Sequence, residues 1–307
     1  MPETSFSLPS FAKINLGLRV IGKRDDGFHD LFTVFQTVSL HDTLTFAVSD
    51  ELKLACDDAS IPTDGRNLVI RAAQKLRDYA SRNPASTESG SLNAAIFLEK
   101  RIPSPGGLGG GSSNSAAALI GLVRLWQIEI SRAEMTQIAG ELGSDVPFFL
   151  TGGTAIGSGR GTDIEPLGDL NAPCVLIVTP AVDVSTPAAF RALDAATLTK
   201  SEANHILQNC RFEAGSPDSY LWKMTNDFEN AVFAIHPEIG KVKQKLLELG
   251  AAHAFLSGSG ASVFGLFDIE ETRQTAMKAL DEHVNWRKFA VATISRKEYR
   301  EALQIVF

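Results

Sequence analysis

The chain has 307 residues, of which 44% are hydrophobic and 21% charged, and its formal net charge is −7. This composition is typical of a globular protein, and the length favours two domains over one. The acidic balance argues against nucleic-acid binding, which normally requires a basic excess or stripe, so the expected partners are small molecules.

Cysteine usage and the lack of long apolar runs predict a cytoplasmic protein. Cys56, Cys174 and Cys210 are odd in number and far apart, as expected in a reducing compartment, and none has metal-ligand spacing. The N-terminus lacks the regions of a signal peptide, and no stretch approaches the ~20 apolar residues of a membrane span. We expect no membrane association and, since no heptad or apolar stripe stands out, a monomer or weak homodimer.

The first third of the chain predicts strands followed by a helix. Runs rich in Val, Phe, Thr and Ile, separated by polar turns at 25–27 and 41–42, predict antiparallel strands at 14–21, 31–39 and 43–49. An apolar stripe predicts a helix over 67–82, and residues 91–99 predict a further strand.

A glycine-rich segment at 106–111 leads into a predicted helix over 112–126. It sets five glycines within six positions before two hydroxyl residues and an alanine-rich run. Glycines allow close backbone approach, and the unpaired N–H groups of a first helical turn attract phosphate, so we expect ATP here. The segment matches neither the Walker loop, which needs a lysine, nor the dinucleotide fingerprint. The alternative is an ordinary glycine-rich surface loop.

The rest of the chain alternates helices and strands and indicates an α+β protein. A capping box at Ser131 and a stop at Gly143 mark one helix. The pattern restarts at a buried strand after Gly168, which predicts domains at 1–168 and 169–307. The further predicted strands are 148–150, 175–178, 254–257, 261–267 and 290–295, and the further helices are 187–193, 226–235, 238–249 and 271–283.

Two charged residues are candidates for phosphoryl-transfer chemistry. Lys13 and Asn15 alternate with apolar residues and share one face of their strand, although an edge-strand lysine that prevents aggregation is the simpler interpretation of Lys13. Asp145 follows a helix stop, where a turn or cap aspartate is the default. Transfer to an alcohol needs a carboxylate near the hydroxyl and a cation near the phosphoryl group, and these two residues would supply them.

A second small-residue loop, Ser257-Gly258-Ser259-Gly260, lies between two predicted strands. Its backbone amides would close around an anion, and the alternative is a tight hairpin, since Gly and Ser are common in turns.

These segments together resemble the GHMP kinase superfamily, and most closely its branch that phosphorylates a diphosphocytidyl-linked sugar alcohol. The motifs that carry the resemblance span nearly the whole chain. They are Ala12-Lys13-Ile14-Asn15-Leu16, Asp26-Gly27-Phe28-His29, Asn67-Leu68-Val69, Lys100-Arg101-Ile102-Pro103, the glycine segment through Asn114, Gly143-Ser144-Asp145-Val146-Pro147-Phe148, Ser185-Thr186-Pro187 and Ser257-Gly258-Ser259-Gly260-Ala261.

The resemblance implies a two-domain fold, with an N-terminal domain like domain 2 of ribosomal protein S5 and a ferredoxin-like C-terminal domain. It implies that ATP binds with Mg²⁺ bridged mainly by phosphates and few protein ligands. The residues implied around ATP are Asn67, Leu68 and Lys100 near adenine and Pro105, Gly106, Gly107, Leu108, Gly109, Gly110, Gly111, Ser112, Ser113 and Asn114 around the phosphates.

The resemblance also implies roles at the acceptor side. Asp145 would be the base and Lys13 would hold the hydroxyl or the developing charge, with Asn15 on the sugar alcohol. A cytosine would stack between Phe28 and Phe190 and form hydrogen bonds with His29, and Thr186 and Pro187 would also bind the substrate. Without the resemblance, His29 is a polar turn residue and Phe190 a core residue of a short helix.

The chain departs from the family pattern at a few positions. Phe11 stands where proline is usual, which affects only the strand entry, and Phe28 replaces the usual tyrosine. Thr162 stands where a glutamate is usual, after Gly159-Arg160-Gly161, and Ser104-Pro105 stiffens the approach to the glycine segment. No catalytic group is lost.

Two other functions fit the same patterns. One is a kinase of the superfamily that acts on homoserine or mevalonate. The other is a non-catalytic sensor, which need not keep both Lys13 and Asp145.

Overall fold

The computed structural model describes residues 5–87, 91–193 and 225–305. Cys210 lies outside the described residues. The strands are β1 (Ser5–Lys23), β2 (His29–Ala47), β3 (Lys53–Cys56), β4 (Ala95–Glu99), β5 (Thr154–Gly159), β6 (Asp163–Pro166), β7 (Val175–Pro180), β8 (His253–Leu256), β9 (Val263–Leu266) and β10 (Trp286–Val291). The helices are α1 (Leu68–Arg82), α2 (Gly110–Trp126), α3 (Arg132–Leu142), α4 (Thr186–Ala192), α5 (Phe228–Ile235), α6 (Pro237–Glu248), α7 (Glu270–Ala279) and α8 (Arg296–Leu303).

The first sheet is built around a long antiparallel hairpin, β1–β2, whose register runs from Ser5↔Ala47 to Lys23↔His29. Its strand order is β3-β4-β2-β5-β6, with β1 paired to β2. The separate strand predicted at 43–49 is wrong, because β2 continues through His41 and Asp42. A register shift between Phe11 and Ala12 absorbs the irregularity, and the strand does not break.

The second sheet has the order β10-β7-β9-β8 and is antiparallel throughout. Helices α5, α6 and α7 supply buried side chains to the core beneath it, among them Phe228, Leu246 and Ala276. The predicted strand at 290–295 is displaced toward the N-terminus, because Trp286 pairs with Pro180 and the ladder to β7 ends at Val291. A third core, which includes Ile14 and Val34 from the first sheet and Ile177 and Phe264 from the second, joins the two sheets.

Helix α8 was not predicted, although Ser295 and Glu298 form a capping box that marks its start. This C-terminal helix packs on the core of the first sheet, where the buried Tyr299 donates a hydrogen bond to Phe149 O (2.6 Å). Gly152 lies flat against the same ring, since a Cβ there would approach Tyr299 Cδ1 to 2.2 Å. The chain therefore returns to its first sheet at its end.

The apolar run at 148–150 forms a 3₁₀ turn, Pro147–Leu150, so the strand predicted there is wrong. Pro147 at its first position favours a helical turn, and Phe148 and Phe149 are fully buried without a strand partner. No helix within the described ranges is both long and apolar enough to cross a membrane.

Candidate active site

A cleft of about 840 Å³ collects most of the predicted acceptor-side residues. The structure brings together side chains from the two hairpins of the first sheet, the two glycine loops and helix α4. The predicted residues that line it are Lys13, Asn15, Phe28, His29, Gly107, Gly109, Asp145, Thr186, Pro187, Phe190, Gly258 and Ser259.

Lys13 and Asp145 form an ion pair in this cleft, with 3.3 Å between Nζ and Oδ2. The lysine is only 3% exposed, which excludes the edge-strand interpretation, while the Asp145 side chain keeps 32% exposure. Lys13 Nζ also donates to Asn15 Oδ1 (2.6 Å), and Asn15 Nδ2 donates to Thr33 Oγ1 (2.7 Å). This chain of hydrogen bonds fixes the ammonium group beside the carboxylate.

The N-terminus of α2 provides backbone donors for an anion. Helix α2 begins at Gly110, two residues before the predicted start, and Gly109 precedes it with φ 70° and no side-chain cap. The first helical bond is donated by Ser113 N to Gly109 O (2.8 Å), so the earlier N–H groups of the turn have no partner within the helix. Free N–H groups at the partially positive end of a helix are able to bind an anion such as phosphate.

The two glycine loops are bonded to each other. Ser257 Oγ donates to Gly107 O (2.9 Å), and Ser262 N donates to Gly106 O (3.1 Å). The Ser-Gly-Ser-Gly loop is also a hairpin between β8 and β9, with Gly260 N bonded to Ser257 O (3.0 Å). Since β8 and β9 belong to the second sheet and Lys13 N of β1 donates to Leu108 O (3.0 Å), the glycine segment at 106–111, called the phosphate loop below, is held from both sheets.

Gly107→Ala is expected to lower both stability and catalytic efficiency. Gly107 has φ 71°, and an added Cβ would lie 2.2 Å from Ser257 O, so the two loops would have to separate. We expect a loss of about 1–3 kcal/mol in the free energy of unfolding and a raised KM for ATP. Urea unfolding and steady-state kinetics measure both.

Gly140→Ala is the matched control, because Gly140 lies in α3 with open space around its Cβ position. It should be neutral or slightly stabilising. Equal behaviour of the two variants would contradict the close approach of the loops.

Asp42 organises the approach to the phosphate loop and was missed as a functional residue. Its fully buried carboxylate pairs with Lys100 Nζ and accepts hydrogen bonds from Ile102 N (2.8 Å) and Asn114 Nδ2 (2.8 Å). Lys100 and Asn114 thus serve this network and do not line the cleft. Arg101 N donates a further hydrogen bond to the same carboxylate (2.7 Å), and no short sequence motif marks this network.

Asn67 and Leu68, the other two residues predicted near adenine, lie at the start of α1 and outside the cleft lining. Asn67 caps α1 by accepting from Val69 N (2.9 Å), and Leu68 lies against Gly111. Leu68 thus lies next to the start of α2, and adenine binding at Asn67 and Leu68 stays a prediction.

The far end of the cleft is aromatic. The rings of His29 and Phe190 stack with centroids 4.7 Å apart, and Phe228 packs edge-on against Phe190. Burial, and secondarily the charge of Lys23, lowers the pKa of His29 from its ordinary value, so the ring is neutral near pH 7 and is able both to donate and to accept. Phe28 is 49% exposed and lines the cleft, with Arg160 Cζ 3.8 Å from the centroid of its ring.

Helix α4 is held against the second glycine loop by a hydrogen bond between Thr186 Oγ1 and Ser259 Oγ, which are 2.9 Å apart.

The departure from the family pattern at Phe11 is confined to the strand entry, where the Phe11 ring lies 5.3 Å from that of His41 and 5.6 Å from that of Tyr299. Phe28, the other aromatic departure, lies in the cleft itself.

Comparison with known proteins gives the class of protein that the sequence motifs predicted. The models of the GHMP kinases N terminal domain and the GHMP kinases C terminal match residues 67–153 and 212–285. The chain is similar to the 4-diphosphocytidyl-2-C-methyl-D-erythritol kinase of Solibacter usitatus, with 40% identity over 95% of this chain and 90% of the relative. It belongs to the GHMP kinases, and within them to the family of 4-diphosphocytidyl-2-C-methyl-D-erythritol kinases.

Solved structures agree on the fold. A crystal structure of a 4-(cytidine 5'-diphospho)-2C-methyl-D-erythritol kinase superposes with TM-score 0.72 at 30% identity, covering 94% of this chain and 99% of that one. A homoserine kinase from Cytophaga hutchinsonii also superposes with TM-score 0.72, at 21% identity and 96% coverage of both chains. The second match supports the fold alone. The predicted α+β, two-domain GHMP kinase fold is confirmed.

Proposed function

We propose that this protein transfers the γ-phosphoryl group of ATP to the C2 hydroxyl of 4-diphosphocytidyl-2-C-methyl-D-erythritol, in the non-mevalonate isoprenoid pathway. The observation that carries the proposal is one cleft with the Lys13–Asp145 pair near the phosphate loop and an aromatic site at its other end. The ion pair fits phosphoryl transfer to an alcohol, and the aromatic site fits the binding of a flat base. Relatives of that name support the same substrate.

Asp145 is the base that accepts the proton of the acceptor hydroxyl, and Lys13 stabilises the charge that develops on the oxygens. Asn15 holds the lysine ammonium and contacts the methylerythritol portion. The transfer is a direct in-line displacement with no phosphoenzyme, because the chemistry depends on positioning and charge stabilisation. The uncapped turn of α2 binds the ATP phosphates.

Mg²⁺ is the metal we propose for this site. Among the described residues, no three His, Cys, Asp or Glu side chains form a metal-binding group, and Asp145 is the sole carboxylate in the cleft lining. This donor set fits Mg²⁺, which keeps several waters and is held through substrate phosphates with one or two carboxylates. The ion supplies positive charge that offsets the charge of the transferring phosphoryl group.

The composition and the absence of an apolar stripe support a cytoplasmic enzyme that is a monomer or weak homodimer. Its partners in this proposal are its two substrates, without nucleic acid or membrane.

A competition assay separates this function from the kinases of homoserine or mevalonate. CDP and CMP are expected to inhibit phosphorylation of the diphosphocytidyl substrate, because in this proposal Phe28 and Phe190, which both line the cleft, bind the cytosine. The measurement is ATP consumption with a panel of alcohols, with and without each nucleotide. Turnover of homoserine or mevalonate that CDP does not inhibit would support the rival kinases, and no alcohol-dependent consumption would support a sensor.

A further inference from the structure

The second glycine loop forms a wall beside the Lys13 ammonium. Gly258 lines the cleft with φ 58°, and a Cβ added to it would lie 3.4 Å from Lys13 Nζ and 3.3 Å from Asn15 Oδ1. The ammonium donates to Asn15 Oδ1 (2.6 Å) and pairs with Asp145. An ammonium has three donors, so the position of the Gly258 backbone bears on which atom receives the third.

A buried asparagine holds the carbonyl group of Gly258. Asn226 is 4% exposed, and its Nδ2 donates to Gly258 O (2.8 Å) and to Leu256 O (2.8 Å). Its Oδ1 accepts from Phe228 N (3.0 Å) at the start of α5. Both amide hydrogens are therefore engaged, and the Gly258 oxygen receives its hydrogen bond from a neutral group instead of from Lys13.

The segment that carries Asn226 is attached to the strand that carries Lys13. Leu18 N donates to Thr225 O (2.9 Å), and Asp227 N donates to Leu18 O (3.0 Å). These two bonds form a short parallel bridge along β1. Asn226 thus connects the lysine strand to the glycine loop and holds the loop at a fixed distance from it.

We infer that Asn226 is a positioning residue for phosphoryl transfer, which acts on Lys13 through Gly258. The inference rests on the proposed function, in which the Lys13 ammonium stabilises charge on the oxygens of the transferring group. Because the amide occupies the Gly258 carbonyl, the ammonium keeps its third donor for those oxygens. A carbonyl without this amide would compete for that donor, and a displaced loop would let the ammonium shift. Misplacement of a catalytic group by about 1 Å is enough to lower a rate about 100-fold.

The test is Asn226→Asp, a near-isosteric change, followed by steady-state kinetics for ATP and the acceptor and by urea unfolding. The carboxylate still accepts from Phe228 N, so the start of α5 is kept, but it cannot donate to the two carbonyl groups. We expect kcat to fall about 10- to 100-fold, with KM for each substrate within about threefold of the original, because the lost interaction acts in the transition state. Asn226→Ser removes the amide without adding a charge and should act in the same direction, so it decides the question if the aspartate variant does not fold.

Glu229→Gln is the matched control for stability. Glu229 Oε1 accepts from Leu256 N (3.0 Å) and Oε2 accepts from Lys243 Nζ (2.6 Å), so this side chain holds the end of β8 next to the loop. Its replacement should lower the free energy of unfolding and leave kcat within about twofold of the original. The same pattern in Asn226→Asp would mean a purely structural role and would overturn the inference.

Gly258→Ala tests whether the effect passes through the loop, because it disturbs the same wall directly. Its strained φ and the Cβ beside the ammonium should lower kcat, and adding Asn226→Asp should then lower kcat by less than about twofold more. Multiplicative effects would exclude action through Gly258, and a raised KM with unchanged kcat would assign Asn226 to substrate binding, so either result overturns the inference. An unsubstituted protein without alcohol-dependent turnover would instead overturn the proposed function, and the inference with it.

Discussion

Replacing Asp145 with asparagine is expected to lower kcat by about 10²- to 10⁴-fold with little loss of stability. The carboxylate pairs with Lys13 at the cleft, and an amide cannot accept the hydroxyl proton. The turn that carries residue 145 is held by its backbone, through Val146 N to Gly143 O (3.2 Å), and Val146 is fully buried. The Asp145 side chain is one-third exposed and the buried Lys13 ammonium keeps its hydrogen bond to Asn15 Oδ1, so the loss of stability should be smaller than at the fully buried Asp42.

The measurement is single-turnover kinetics with saturating ATP and acceptor, together with urea unfolding. Asp78→Asn, at an exposed position of α1, is the matched control and should retain full activity. A KM for ATP within a few-fold of the original would show that the phosphate loop is intact. Near-normal turnover of Asp145→Asn would mean that another group accepts the proton.

The second large effect is expected at Asp42, where Asp42→Asn should cost about 3–5 kcal/mol in the free energy of unfolding. The exposed fractions of the Lys100 and Asp42 side chains are 6% and 0%, so removing the carboxylate charge leaves a buried ammonium without its counter-charge. The amide would also direct donors at Lys100 or Asn114, which are donors themselves. Because Asp42 holds Ile102 and α2, KM for ATP should rise as well.

A double variant separates the charge effect from simple loss of packing. Asp42→Asn with Lys100→Met removes both charges and should recover part of the lost stability. Asp57→Asn is the control, because Asp57 accepts a hydrogen bond from Lys100 N (2.7 Å) on the exposed side of the same segment. Its substitution should lower the free energy of unfolding much less. If the double variant is no more stable than the single one, the unpaired ammonium is not the cause.

Residues that belong to short sequence motifs could be predicted from the sequence. Residues whose position depends on partners far along the chain could not. Strand alternation places Lys13 and Asn15 together, and the structure confirms that they are hydrogen-bonded. Asp42 is bound by residues about 60 positions away, so its partners could not be identified from its neighbours in the sequence. Its polar side chain between two apolar runs instead led to the prediction of a turn at 41–42. Its role depends on the sheet that brings β2 against the phosphate loop.

The start of α2 shows how tertiary contacts override local preference. Glycine is a poor helix former, so the helix was expected to begin at residue 112, yet it begins at Gly110. A Cβ at Gly110 would lie 3.1 Å from Ile102 Cγ2, which shows that close packing against the preceding segment fixes this turn. Pro147 shows the converse, since an apolar run was taken for a strand although its proline favours a helical turn.

The docking of α8 on the first sheet has a consequence for how the chain folds during synthesis. Arg296 N donates to Asp169 Oδ2 (3.0 Å), and Tyr299 Oη donates to Phe149 O (2.6 Å), while the Phe149 ring lies against Gly109. Domains usually fold as units, N-terminal first, as the ribosome releases them. Here the support for Phe149 comes from a helix that is translated well after the phosphate loop, so the loop acquires this support only after the second sheet and α8 have been synthesised.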